Sequence, residues 1–69
     1  MVKVKGSIVL NPTTMEADVS LFADTQSEVV PNVKIQGMPE GYSISAGSSV
    51  MTANGDMAFM KSDGNWNWL

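Results

Sequence analysis

Cysteine and histidine are both absent from this chain of 69 residues. The first absence excludes disulfides and thiolate metal sites together, and the second removes the commonest metal ligand and the usual neutral-pH base. Positive charge is scarce as well: four lysines stand against seven acidic residues, for a formal net charge of −3. That balance argues against nucleic acid as a partner, because affinity for nucleic acid rests on neutralising phosphates and these lysines are scattered. Long apolar runs are missing, and no stretch approaches the ~20 residues of a membrane span. Met1-Val2-Lys3-Val4-Lys5 has the basic start of a signal peptide, but Gly6-Ser7 and Asn11-Pro12 interrupt the apolar run at once. The expectation is a soluble chain made in a cytosol, with no membrane partner. Its length allows a single domain, 1–69, which as a monomer buries only about 60% of its unfolded surface. Stability then calls for added burial, so a homo-oligomer or a multi-copy assembly is expected.

What is present is concentrated at the end. Both tryptophans, one phenylalanine and three of the six methionines fall within 50–69. Asn54-Gly55 and Asp63-Gly64 accept positive φ in tight turns, so the segment reads as a three-stranded meander. With two-residue loops, Val50 faces Phe59 and Thr52 faces Met57, then Phe59 faces Trp68 and Lys61 faces Trp66 as a cation–π pair. One face of the ribbon is then aromatic, with Phe59, Trp66 and Trp68, and the other carries Met51 and Met60. A ribbon apolar on both sides is usually buried on both sides.

The first third alternates nearly strictly over 2–23, with a change of parity at Asn11-Pro12-Thr13-Thr14, as a hairpin does. A four-residue loop sets Leu10 against Met15, Ile8 against Ala17, Gly6 against Val19 and Val4 against Leu21. The opposite face is polar except for Val9 and Phe22. Between these hairpins, 24–49 reads as loop and short strands: a capped turn near Asp24-Thr25-Gln26-Ser27-Glu28, a strand at Val33 and Ile35, a type I turn at Met38-Pro39-Glu40-Gly41, and another turn at Ala46-Gly47-Ser48-Ser49. The fold class that follows is all-β: a small antiparallel sandwich or partly open barrel, with the N-terminal hairpin laid on the C-terminal meander. Lys3 and Lys5 guard the first strand against edge pairing, and Pro31 and Pro39 guard the middle. Trp66-Asn67-Trp68-Leu69 has no guard.

Chemistry is sparse. General acid and base catalysis needs two groups of separated pKa near a substrate, yet the carboxylates lie in turns or along the wet face of a hairpin. Ser48-Ser49 after Gly47 has no base or oxyanion arrangement to accompany it, and the Asp56 and Asp63 turns lack calcium-loop spacing. The glycines form no phosphate-binding fingerprint. No catalytic residue, cofactor or metal is assigned, and an enzyme is not expected. Two uses remain open to the closing aromatics: they are core, or they bind. The candidate interface is Met51, Met60, Trp66, Trp68, Leu69 and Phe22. A carbohydrate- or peptide-binding module is a further alternative, with Trp66, Trp68 and Tyr42 as its stacking platform.

The stretch Gly47-Ser48-Ser49-Val50-Met51-Thr52-Ala53-Asn54-Gly55-Asp56, followed by Asp63-Gly64-Asn65-Trp66, resembles small structural proteins of tailed bacteriophages. So do Val19-Ser20-Leu21-Phe22-Ala23-Asp24-Thr25 and the Gly37-Met38-Pro39-Glu40-Gly41 turn. The resemblance implies a virion component without enzymatic activity, made in the host bacterial cytoplasm. Its expected role is capsid decoration or cementing, with a tail, baseplate or fibre-attachment subunit as the alternative. The expected partners are other virion proteins, the major capsid or tail protein.

Overall fold

The computed structural model describes residues 2–69; Met1, with which the basic start and the 1–69 domain begin, lies outside the described residues. These form eight strands, β1 (Lys3–Val4), β2 (Val9–Asn11), β3 (Glu16–Asp18), β4 (Ser20–Ala23), β5 (Ser43–Ile44), β6 (Ser49–Thr52), β7 (Met57–Met60) and β8 (Trp66–Trp68), and one 3-10 turn at Gln26–Glu28. The chain is all-β, as its alternation implies. Five strands make one sheet in the order β1-β4-β6-β7-β8, and three make a second in the order β2-β3-β5. Buried residues from both sheets meet in one core, which includes Ala17, Leu21, Ile44, Val50, Ala58 and Met60. The arrangement is a small sandwich and not a closed barrel.

Both sheets are mixed. The β3/β5 and β4/β6 pairs are parallel, where an antiparallel fold was expected. The reason lies in where the N-terminal hairpin goes. It does not lie across the meander: β4 hydrogen-bonds directly to β6, so the hairpin extends the meander's own sheet. The inner face is covered partly by the connecting segment, through Val29 and Val33, with Ile35 and Met38 packed beside them. Residues 30–42 contain no strand, and Val33 and Ile35 contribute apolar side chains from irregular backbone between two turns instead.

Residues 16–23 run through both sheets, and each neighbour carries two extra residues where the sheets join. In the β1/β4 pair Val4 faces Leu21, as expected, but in β2/β3 Leu10 faces Ala17 and not Met15. The loop is Pro12 to Met15, one residue later than expected, with the Asn11 side chain accepting the Thr13 N–H at 3.0 Å. Met15 closes the loop at φ 58, a left-handed conformation costing about 1–2 kcal/mol for a residue with a Cβ. On the other side Ile44 faces Ala17 while Ser49 faces Ser20, so two residues of the 45–48 segment are surplus. The segment turns on a Ser48 N–H to Ser45 C=O bond, with Gly47 at φ 92. A continuous ladder would give the Val19 N–H a backbone acceptor; here the Ser48 hydroxyl accepts it at 3.1 Å. Ser48 is completely buried, and its oxygen also lies 3.5 Å from the Ala17 carbonyl, to which it donates. A side chain thus satisfies the backbone at the junction, as a buried donor requires.

The meander turns fall at the expected dipeptides but hold three residues each. Thr52 N–H donates to Asp56 C=O at 2.8 Å and Gly55 N–H to Thr52 C=O at 3.0 Å; Lys61 N–H donates to Asn65 C=O at 2.9 Å and Gly64 N–H to Lys61 C=O at 3.1 Å. Gly55 and Gly64 sit at φ 91 and 87, the left-handed position that ends a three-residue hairpin loop. The extra residue shifts the pairing: Val50 faces Ala58, Met51 faces Met57, Ala58 faces Trp68 and Met60 faces Trp66. A one-residue shift on one strand exchanges its faces. Phe59 therefore points away from the core, while Trp66 and Trp68 point toward it. The expected Lys61 contact with Trp66 gives way to a Lys61–Asp63 ion pair at 3.5 Å. The middle turn is also one residue later, Pro39 to Tyr42, with Gly41 at φ 89 in third position.

Candidate interaction face

The outer face of the five-stranded sheet follows from these registers. One row runs Lys3, Phe22, Met51 and Met57 across β1, β4, β6 and β7, and reaches Leu69 through the Leu69 N–H bond to Met57 C=O at 2.9 Å. The neighbouring row holds Ser20, Ser49, Phe59 and Asn67, with Lys5 bonded to Ser20 through its N–H. Apolar side chains thus cross the sheet in the middle of this face. Met51 is 36% exposed, Phe59 40% and Leu69 78%, while Phe22 and Met57 are half-buried. A shallow depression of about 340 Å³ lies between Lys5, Ser20, Ser49, Met51 and Met57. The face has an apolar centre with serines, an asparagine and lysines at its margin, a composition that protein contacts share. Contiguous exposed apolar patches of this kind mark interaction sites on small proteins.

The six candidate interface residues divide between the two faces. Met51, Phe22 and Leu69 lie on the outer row, whereas Met60 is 4% exposed and Trp66 and Trp68 pack on the core. Trp66 also donates its Nε1–H to the Val30 carbonyl at 3.0 Å, fastening the connecting segment to the last strand. Phe59 and Met57 belong to the exposed face too, although the expected register groups Phe59 with Val50, Trp66 and Trp68. Loop length was the missing signal: moving Gly55 from the second to the third loop position turns Phe59 outward. Tyr42 lines a separate cleft of about 800 Å³ together with Glu16, Lys34, Glu40 and Asp63, and neither tryptophan lines it. The three rings of the expected stacking platform therefore do not share that surface.

The polar groups singled out for chemistry serve the fold. The buried Ser48 hydroxyl sits within the sheet junction. Asp56 accepts the Thr52 hydroxyl at 3.3 Å, and its own N–H donates to that hydroxyl at 3.2 Å. Glu28 accepts the N–H groups of Asp24 and Thr25 at 2.9 and 3.2 Å. Asp63 accepts the Asn65 N–H at 3.0 Å; this bond, and then the nearby Lys61, hold its carboxyl below the ordinary value. Among the described residues no three His, Cys, Asp or Glu side chains gather where they could hold a metal ion, and no helix is long and apolar enough to cross a membrane. Comparison with protein-family models, curated proteins and solved structures finds no match.

Proposed function

We propose that this chain is a non-enzymatic structural subunit that docks through the outer face of its five-stranded sheet onto a multi-copy assembly. The setting proposed first is decoration or cementing of a bacteriophage capsid; a tail, baseplate or fibre-attachment site is the second. The observation that carries the docking reading is the exposed row from Phe22 through Met51 and Met57 to Leu69, flanked by Phe59. These side chains leave water on docking without disturbing the inner core. The virion setting rests on the sequence resemblance of the Gly47-to-Trp66 stretch. Repeated docking onto a symmetric lattice also suits a 69-residue subunit, because binding adds the burial that such a chain lacks.

The test uses purified chain with empty heads, and separately with tails, assembled from the structural genes neighbouring its own. The wild-type chain is expected to bind heads. Met51→Ser combined with Phe59→Ser is expected to weaken that binding by about 2 kcal/mol or more while urea denaturation of the free chain changes little. Binding to tails alone selects the second setting. Failure to bind either particle overturns the virion reading, and binding that survives the double substitution overturns the assigned face.

A further inference from the structure

The five-stranded sheet ends on two edges of opposite character. β1 is two residues long, carries Lys3 with Lys5 just beyond it, and is followed by a bend at Gly6 with φ 80. Short length, lysines and bends are the devices by which sheets avoid pairing with other chains. At the other edge, Asn65 through Leu69 has no charged side chain, no proline and no bulge against β7. Lys61 N–H bonds Asn65 C=O and Leu69 N–H bonds Met57 C=O, both at 2.9 Å, with Asn67 opposite Phe59 between them. Bonding residues alternate along an antiparallel ladder. Asn65, Asn67 and Leu69 therefore direct their backbone groups to β7, and Trp66 and Trp68 direct their N–H and C=O groups to the open side.

We propose that β8 pairs with β8 of a second copy of this chain, antiparallel, about a two-fold axis at Asn67, joining two five-stranded sheets into one. The alternation selects the register. With Asn67 on the axis, Trp66 of each copy stands opposite Trp68 of the other, and both residues exchange N–H···O=C bonds. Every open donor and acceptor of both strands is then used. Centring the axis on Trp66 instead sets Trp68 against Gly64, whose N–H is already bonded to the Lys61 carbonyl at 3.1 Å. Three features favour a second copy as the occupant. The edge is self-complementary in this register. Its side chains from Asn65 to Leu69 carry no charge, so two chains of net charge −3 meet where no charged side chains oppose. The Asn67 amides also face one another across the axis on the outer face, and an amide carries both donor and acceptor. Trp66 and Trp68 form cross-strand aromatic pairs on the inner face.

This inference uses the backbone edge of β8, where the docking reading uses the apolar row centred on Met51, and it is tested on the isolated chain, so either can fail alone. Because the chain has no cysteine, Asn67→Cys introduces a single thiol per copy. Across the axis the two thiols occupy a non-hydrogen-bonded pair with Cα atoms about 4.5 Å apart, within the range a disulfide spans. Mild oxidation is expected to convert Asn67→Cys to a covalent dimer at least about tenfold faster than Ser62→Cys in the exposed β7–β8 turn, since orientation raises the effective thiol concentration. In sedimentation equilibrium the wild-type chain is expected to dimerise, and Asn67→Lys to weaken the dimer roughly tenfold or more by opposing like charges. Circular dichroism checks that both variants keep the fold. If Asn67→Lys fails to fold, the cysteine pair decides alone. Equal cross-linking at the two cysteine positions overturns the proposal, as does a wild-type monomer. A dimer broken by Met51→Ser and Phe59→Ser but indifferent to Asn67→Lys moves the contact to the outer face. A monomer that binds capsid or tail protein through β8 assigns the edge to a foreign strand. Each of these last two results also overturns self-pairing.

Discussion

The two faces of the five-stranded sheet differ by a single residue step along each strand, yet they do opposite things. The inner row runs Val4, Leu21, Val50, Ala58 and Trp68; the outer row runs Lys3, Phe22, Met51, Met57 and Leu69. Apolar content does not tell them apart, since each row contains at least four apolar side chains. What differs is cover. On the inner side the row packs into one core with buried residues of the second sheet and the connecting segment, and Leu21 is 1% exposed, Val50 1% and Ala58 0%. Nothing within the described chain closes over the outer row, where Met51 keeps more than a third of its surface, as does Phe59 in the row beside it. Burial on folding is thus uneven between two rows of similar apolar content, and the proposed docking would use the row that folding leaves open.

Three experiments break or sharpen that contrast. The largest effect is expected at Leu21, where truncation to Ala leaves a cavity among fixed neighbours and costs about 2–5 kcal/mol in urea denaturation. Met51→Ala, one strand over and facing out, is expected to cost less than about 0.5 kcal/mol in the same measurement. Equal losses at the two sites would erase the distinction between the faces. Next is Ser48→Ala at the sheet junction, which strands the buried Val19 N–H and is expected to cost about 1–3 kcal/mol; hydrogen exchange at Val19 should accelerate correspondingly.

The smallest effect belongs to Asp63, in the turn that sets the face of β8. Its carboxyl is held below the ordinary 3.8 by the Asn65 N–H and then by Lys61. A depressed folded pKa contributes stability that is present above the unfolded value and is lost as pH falls through the folded value. Amide exchange at Asn65, measured relative to the intrinsic rate at each pH, should therefore lose protection as pH drops below about 3.8. Asp63→Asn should flatten that dependence, and an unchanged profile would show that the carboxylate does not hold the turn.

Much of the fold was legible locally. Alternation from Val2 to Ala23 marked the strands of the first hairpin, and Asn54-Gly55 and Asp63-Gly64 marked the reversals of the meander. The Val4–Leu21 pairing was also readable. Loop length was not, because Asn-Gly and Asp-Gly fit either the centre of a two-residue loop or the end of a three-residue one. That ambiguity exchanged the faces of β7, turning Phe59 outward and Met60 inward, while the two shifts cancel at β8 and leave Trp66 and Trp68 on the face of Val50. The candidate site was half legible: Phe22, Met51 and Leu69 face outward, whereas Met60 was set beside Met51 by a register that the turns do not adopt, and the tryptophans, chosen for their unguarded edge, pack on the core.

The sequence by itself determined the all-β class, the sites of chain reversal, and the contrast between a lysine-guarded first edge and an unguarded last one. These are properties of single residues and of period two, which are present before any contact forms. The tertiary structure alone decided the parallel pairing of β4 with β6, the two surplus residues on either side of the central strand, and which apolar row is covered. A one-residue difference in loop length exchanges the faces of a strand, and the choice between loops depends on what the rest of the core can accommodate. Ala58 fits between Val50 and Trp68 on the inner row, and Phe59 is left outside.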